Sequence, residues 1–165
     1  MPRNMSFFMT TEAYREGSKT ITRRDGWWHL KPGDVFMGCV KCMGLRKGEK
    51  VQKIHAGRVV STRPEMLGWL LELHGPHYTY DEACEEVARE GFPGCHPEWF
   101  VEFYLRDFSL GYVALREKAG ATKVNRIEFA HVELEKVRGG ILSGNTSAPA
   151  SGLDSRSVAT YQEVT

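Results

Sequence analysis

Apolar and polar residues alternate in several short segments that are rich in β-branched residues and bounded by turn-forming residues. Alternation of this kind is typical of β-strands. It predicts strands over 5–8, 19–24, 35–43, 51–62 and 124–134. The third and fourth segments are joined by a basic, glycine-containing loop over 44–50, so we expect them to form a long hairpin.

Apolar residues recur at helical spacing in other parts of the chain. They predict helices over 65–73, 81–90 and 97–107, after a brief helix that starts at residue 10 or 11 and ends at 16. Gly17 can end the brief helix in the left-handed conformation, and Pro97 suits the first turn of the last one. In that last helix, Phe100, Phe103 and Tyr104 form a stripe that we interpret as core.

Strands at both ends of the chain, around a group of helices, predict an α+β domain with a mixed or antiparallel sheet closed as a small barrel. We expect residues 1–137 to form this domain, a normal size for one core. Residues 138–165 are mostly small or polar and predict a flexible tail. The sequence has no apolar run of membrane-spanning length and no signal peptide, so we expect a soluble, cytoplasmic protein without a membrane partner.

The charges are unevenly distributed, although the 165 residues carry a formal net charge of only +1. Residues 35–63 have a net charge of +6, and residues 64–108 have a net charge of −8. Such polarity indicates a charged ligand or partner, or simply two solvated faces. The neutral total argues against a domain that grips long nucleic acid by bulk charge.

The four cysteines are too few for the disulfide framework of a small secreted domain, so we expect free thiols. Cys39 and Cys42 have the spacing of half a zinc site, but a second close pair is missing. His74 and His77 flank a Gly-Pro turn and are interpreted as loop histidines. We therefore expect neither a metal nor a cofactor.

Residues 17–28 combine cationic, hydroxyl and tryptophan side chains within twelve positions. Arginine and lysine can hold phosphates, and an indole can stack on a base. The alternative interpretation is structural: the tryptophans would belong to the core and the arginines would pair with the acidic helices.

Five motifs along the chain resemble those of the ASCH domain (activating signal cointegrator homology), in the same order and over roughly residues 5–134. They are Gly17-x-Lys19-Thr20-x-Thr22-x-Arg24, Leu30-Lys31-Pro32-Gly33-Asp34, Gly44-Leu45-x-Lys47-Gly48-Glu49-Lys50, Arg89-Glu90-Gly91-Phe92-Pro93 and Glu98-x-Phe100-Val101. The resemblance, which is greatest to small bacterial and phage members, implies a PUA-like fold: a small mixed β-barrel with flanking helices. It also implies a cleft for RNA or a nucleotide.

Some bacterial members are amidohydrolases that deacetylate N(4)-acetylcytidine with a lysine, a threonine and a glutamate. Residue by residue, the resemblance maps these onto Lys19, Thr22 and Glu90. Lys19 must then lie before the strand, or a bulge must intervene, because strand residues three apart face opposite sides. This chain also departs from the small amidohydrolases, with a helical insert around 67–81 and the pair Trp27-Trp28 after the threonine motif.

A binding module is the first function that we expect, with RNA or a modified nucleoside or nucleotide as its partner. Beside Lys19, Thr22 and Glu90, the expected ligand-binding residues are Arg23, Arg24, Trp28, Lys47 and Lys50. The amidohydrolase is the alternative, and because another ASCH protein is described as a ribonuclease, phosphodiester cleavage is a further one. The last hypothesis is an accessory domain whose acidic helices recruit a protein.

Overall fold

A computed structural model describes residues 2–71 and 76–132 of the chain. The strands are β1 (Arg3–Ser6), β2 (Ile21–Arg24), β3 (Val35–Cys39), β4 (Lys53–Met66) and β5 (Lys123–Val132). The helices are α1 (Thr11–Glu16), α2 (Tyr80–Arg89), α3 (Pro97–Leu105) and α4 (Tyr112–Gly120), with 3₁₀ turns at Phe8–Thr10 and Leu67–Leu71. The predicted tail at 138–165 lies outside the described residues.

The five strands form one sheet in the order β1-β3-β4-β5-β2. β1 runs parallel to β3, and the other neighbours are antiparallel. The sheet curls into a half-barrel, and Arg24 at the end of β2 donates a hydrogen bond to the carbonyl of Ser6 at the end of β1. An α+β domain with a mixed, barrel-like sheet is therefore confirmed, as is the hairpin of β3 and β4.

An aromatic core joins the curled sheet to α1. Phe7 stacks on Tyr14 with 4.1 Å between ring centroids, and Phe36 and Phe129 pack beside them. The Tyr14 ring passes directly over Gly38, where any Cβ atom would overlap it. Glycine is thus required at that position for the tyrosine to enter the core.

A second core is formed by α2, α3, α4 and the turn Leu67–Leu71. Thr79 and Glu82 form a capping box at the start of α2, and Pro97 occupies the first turn of α3, as predicted. Gly91, with φ of 96°, lets the chain turn after α2 and pass so near Thr10 that a Cβ atom at Gly91 would lie only 3.0 Å from the threonine side chain. This close approach brings the end of α2 to the edge of the sheet beside β2. No helix in the described ranges is long and apolar enough to cross a bilayer.

One prediction about the helical region is wrong, and one of its helices was not predicted. β4 continues through Met66, so residues 65 and 66 are strand and a 3₁₀ turn replaces most of the predicted helix. β4 passes Pro64 because β3 pairs with it only as far as Arg58, and proline is tolerated where one side of a strand is unpaired. α4 was not predicted, because only Leu115 and Ala119 of its nine residues are buried.

Smaller differences concern the ends of elements, the least certain part of any assignment. β1 covers 3–6 instead of 5–8, β3 stops at 39, α3 stops at 105, and β2 starts at 21 instead of 19. Only the last of these affects the candidate site, because it places Lys19 outside the strand.

Candidate functional site

Lys19 lies in a short irregular segment between α1 and β2. Gly17, with φ of 84°, ends α1 in the left-handed conformation. The N–H of Lys19 then bonds to the carbonyl of Ala13 at 3.0 Å, and the N–H of Thr20 bonds to the carbonyl of Arg89 at 3.0 Å. Because β2 begins only at Ile21, strand alternation does not separate Lys19 from Thr22.

The ammonium group of Lys19 is paired with Glu90. Nζ lies 2.9 Å from Oε2 of Glu90 and also donates to the backbone carbonyl of that residue. The two side chains are 3% and 4% exposed. Burial lowers the pKa of Lys19, the charges of Arg24 and Arg23 lower it further, and Glu90 acts against these effects. A buried lysine of this kind loses its proton more readily than one in water.

Thr22 and Arg24 lie two residues apart on β2 and therefore share a face of the sheet. Nε of Arg24 donates to Oγ1 of Thr22 at 3.1 Å, and the guanidinium lies 5.4 Å from the centre of the Phe7 ring. Nζ of Lys19 lies 5.7 Å from the same ring. Lys19, Thr22, Arg24 and Glu90 therefore form one group, which we call the Lys19 cluster.

Arg23 faces away from Thr22 and is enclosed by carboxylates. Its Nε lies 2.5 Å from Glu65, Nη2 lies 2.6 Å from Glu86, and Nη1 lies 3.3 Å from Glu90. Burial disfavours the charge, but the three carboxylates raise the pKa of Arg23. Arg23 was predicted to contact a ligand, but in the structure its side chain is 0% exposed and its guanidinium contacts these carboxylates.

The buried network continues from Arg23 to β5. Arg126 donates to both oxygens of Glu86, at 2.8 and 2.7 Å. Burial acts to raise the pKa of Glu86, but its bonds to Arg126 and the charge of Arg23 prevail and lower it to about 2. The hydroxyl of Tyr78 donates to Glu65 at 3.0 Å. Glu90 is the member shared by this network and the Lys19 cluster.

Tyr104 on α3 belongs to the same neighbourhood, although its position in the sequence marked it only as core. Burial, followed by the negative charge of Glu90, raises its pKa to about 12. The charge of Arg24 acts on the same hydroxyl. The Tyr104 hydroxyl is thus electrostatically coupled to Glu90 and Arg24.

The remaining predicted ligand-binding residues are more exposed. Trp28 is 49% exposed, and Nζ of Lys123 lies 5.6 Å from its ring centre. Lys47 and Lys50 are exposed in the loop between β3 and β4. Trp27, in contrast, is half-buried and packs against the aromatic core.

A histidine pair holds the backbone of Lys19. Nε2 of His131 lies 2.8 Å from the carbonyl oxygen of Lys19, and Nδ1 of His131 lies 2.5 Å from Nε2 of His55. Both rings line a cavity of about 350 Å³ together with Arg15, Glu16, Gly17 and Val132. Sequence reasoning missed this pair, because its members come from two strands 76 residues apart.

The expectation of free thiols agrees with the structure, in which all four cysteines are unpaired. Within residues 2–71 and 76–132, no group of three or more histidine, cysteine, aspartate or glutamate side chains could hold a metal ion. His74 lies outside the described residues.

No protein-family model, curated protein or solved structure matches this chain.

Proposed function

We propose that the protein is a PUA-like ASCH domain that binds RNA or a nucleotide at the Lys19 cluster. The observation that carries the proposal is the buried pair of Lys19 and Glu90, 2.9 Å apart, near Arg24, which donates to Thr22 and to the carbonyl of Ser6 where β2 approaches β1. Two cationic groups and a hydroxyl suit a phosphate or a nucleobase carbonyl, and the Glu90 carboxylate suits an amino group.

The burial of the cluster favours a small ligand or a single inserted nucleotide. Lys19 and Thr22 are each 2% exposed, so a duplex backbone does not reach them. Trp28, half-exposed beside Lys123, supplies a surface on which a base can stack. Lys47 and Lys50 add attraction for phosphates, which is weakened by salt.

The test is a binding titration with nucleosides, nucleotides and short single-stranded RNA. Arg24→Ala should lower the affinity at least tenfold, because it removes a charge-assisted donor. Arg58→Ala is the matched control, since Arg58 is an exposed strand arginine whose guanidinium contacts only the carbonyl of Gly33 among the described hydrogen bonds. Equal affinity of the wild type and the folded Arg24→Ala variant would contradict binding at this cluster.

A second candidate function, amide hydrolysis on an acylated cytidine, is favoured by the Lys19–Glu90 pair. A neutral Lys19 can accept the proton of Thr22, whose oxygen then attacks the acyl carbonyl carbon. The carbon–nitrogen bond breaks, and the proton reaches the leaving amine through Glu90, which lies 2.9 Å from Lys19. Arg24 can stabilise the oxyanion, and water then releases the acyl group from Thr22.

Incubation with N(4)-acetylcytidine, followed by detection of cytidine, tests this candidate. Thr22→Val and Lys19→Met should abolish turnover. Thr20→Val is the matched control, because Thr20 lies in the same segment but accepts a hydrogen bond from Arg89. Turnover that survives in Lys19→Met would exclude the assignment of Lys19, and cleavage of added RNA instead would favour the ribonuclease.

A further inference from the structure

We propose that Arg23 is a positioning residue, which orients the Glu90 carboxylate so that only one of its oxygens faces Lys19. The inference rests on the proposed function, since it concerns the same cluster. It also gives Arg23 a role different from the direct ligand contact that was predicted from the cationic residues of the segment 17–28.

The first step is that the Arg23 guanidinium has a fixed orientation. Glu65 on β4 accepts from Nε at 2.5 Å, and Glu86 on α2 accepts from Nη2 at 2.6 Å. These two carboxylates hold the planar group from the sheet and from the helical layer. Nη1 is then the donor left for Glu90, at 3.3 Å.

The second step is that Glu90 is divided between two cations. Its Oε1 accepts from Arg23, and its Oε2 accepts from Lys19 at 2.9 Å. If Arg23 released Oε1, both oxygens would be available to the ammonium group. A lysine in place of Arg23 would keep the charge, but it lacks the rigid fork that reaches three carboxylates at once.

The third step concerns the protonation of Lys19. A carboxylate that pairs fully with an ammonium group stabilises the charged form, and a nearby cation disfavours it. Arg23 therefore disfavours the charged form of Lys19 in two ways: it holds one oxygen of Glu90, and its positive charge lowers the pKa of Lys19. Several charged and titratable groups face Lys19 and Arg23. They are Arg24 on β2, Glu65 on β4, Tyr78, Glu86 and Glu90 of the helical layer, and Arg126 on β5.

The experiment follows the ¹⁵Nζ chemical shift of Lys19 through a pH titration of the full chain, with Lys19→Met identifying the signal. In Arg23→Lys the midpoint of the Lys19 titration should rise by about one pH unit. Arg126→Lys is the matched control: Arg126 is buried in the same network, but its described contacts are with Glu86 and Glu128. The midpoint should therefore change little in Arg126→Lys. An unchanged midpoint in folded Arg23→Lys, or an equal rise in both variants, would overturn the proposal.

A second measurement avoids any change at Arg23. In a crystal structure of Lys19→Met, Oε1 of Glu90 should remain within hydrogen-bond distance of Nη1 of Arg23, as it is in the wild type at 3.3 Å. A Glu90 carboxylate that has turned away from Arg23 would overturn the proposal even if Arg23→Lys does not fold. Neither measurement uses a nucleotide, so failure of the proposed binding function is recognised separately, by the titrations with RNA and nucleosides.

Discussion

The Nε2 atom of His131 lies 2.8 Å from the carbonyl oxygen of Lys19, so an imidazole holds the backbone of the candidate site. A carbonyl can only accept, and Nε2 must therefore carry the proton. Nδ1 of His131 is then the acceptor for the Nε2–H of His55. Two neutral rings in defined tautomers satisfy every one of these contacts, and a second added proton would set two positive charges against each other.

We predict that the histidine pair makes the protein less stable as the pH falls from 7 to 5. Burial lowers the pKa of His55, and the charge of His131 lowers it further. The unfolded chain therefore binds a proton at His55 more tightly than the folded protein does, and the free energy of unfolding declines below about pH 6.5. Arg15 and Glu16 at the cavity and the stacked Tyr14 ring also face the pair.

Urea denaturation at pH 5, 6 and 7 measures this dependence. His55→Phe keeps an aromatic ring against Tyr14 and should make the decline shallower. His29→Phe is the control, because His29 is exposed on the surface. The stability of this variant should decline with pH as steeply as that of the wild type. If His55→Phe and His29→Phe gave the same slope, the histidine pair would not be the cause.

Glu86 should be a major determinant of stability, in contrast to its neighbour Glu85. Glu86→Ala leaves the guanidinium groups of Arg23 and Arg126 short of a buried partner, which typically costs about 3–5 kcal/mol. Glu85 is exposed on the same helix, and Glu85→Ala should change the free energy of unfolding by less than about 0.5 kcal/mol. Denaturant unfolding at pH 7 compares the two, and similar losses in both variants would contradict the assigned role of the network.

The lowered pKa of Glu86 also predicts how the stability of the protein changes in acid. Because the pKa of Glu86 is lowered to about 2, its stabilising contribution is fully present above the ordinary glutamate value near 4.3. That contribution is lost as the pH falls from there towards 2. Unfolding measured between pH 5 and 2 should therefore show a loss of stability in the wild type that is much smaller in Glu86→Gln. A loss of equal size in Glu86→Gln would show that other carboxylates are responsible.

Much of the fold can be predicted from local patterns in the sequence. Helical spacing ended by Gly91 identifies α2, Pro97 identifies the start of α3, and alternation identifies the hairpin. The sequence predicted Lys19 inside the strand, although Gly17 permitted the alternative that the structure shows, in which Lys19 precedes β2. α4 escaped prediction because a helix with two buried residues carries little periodic signal.

The candidate site was harder to predict because it depends on contacts between distant segments. Arg23 and Arg24 are neighbours in the sequence, yet one enters the carboxylate network and the other joins the Lys19 cluster. The structural interpretation of residues 17–28 thus agrees with the placement of Arg23, and ligand binding by Arg24 stays a prediction. Strand alternation predicts that the side chains of Arg23 and Arg24 point to opposite faces of the sheet. It does not predict which face packs against α2 and Glu90, because that depends on tertiary structure.

Gly38 should be intolerant of even a methyl group. A Cβ atom at this position would overlap the ring of Tyr14, which is fully buried between Phe7 and His55 and cannot retreat. Overpacking of this kind costs about 1–3 kcal/mol or more, so Gly38→Ala should lower the melting temperature clearly. Gly120→Ala is the control, because nothing lies within 4 Å of its Cβ position. A Gly38→Ala protein as stable as the control would contradict this packing.

Trp28 provides the sharpest prediction about how a ligand is held. Its ring is half-exposed beside Lys123 and lies at the end of the segment that supplies Lys19, Thr22 and Arg24. If a base stacks on this ring, Trp28→Ala should weaken binding of a short RNA by about 1–3 kcal/mol, since that is the usual contribution of one stacked base. Trp99→Ala is the matched control, because Trp99 is also partly exposed but stacks on Phe103. Affinities from fluorescence titration at fixed salt decide the question: an equal loss in both variants, or none in Trp28→Ala, would remove Trp28 from the proposed binding surface.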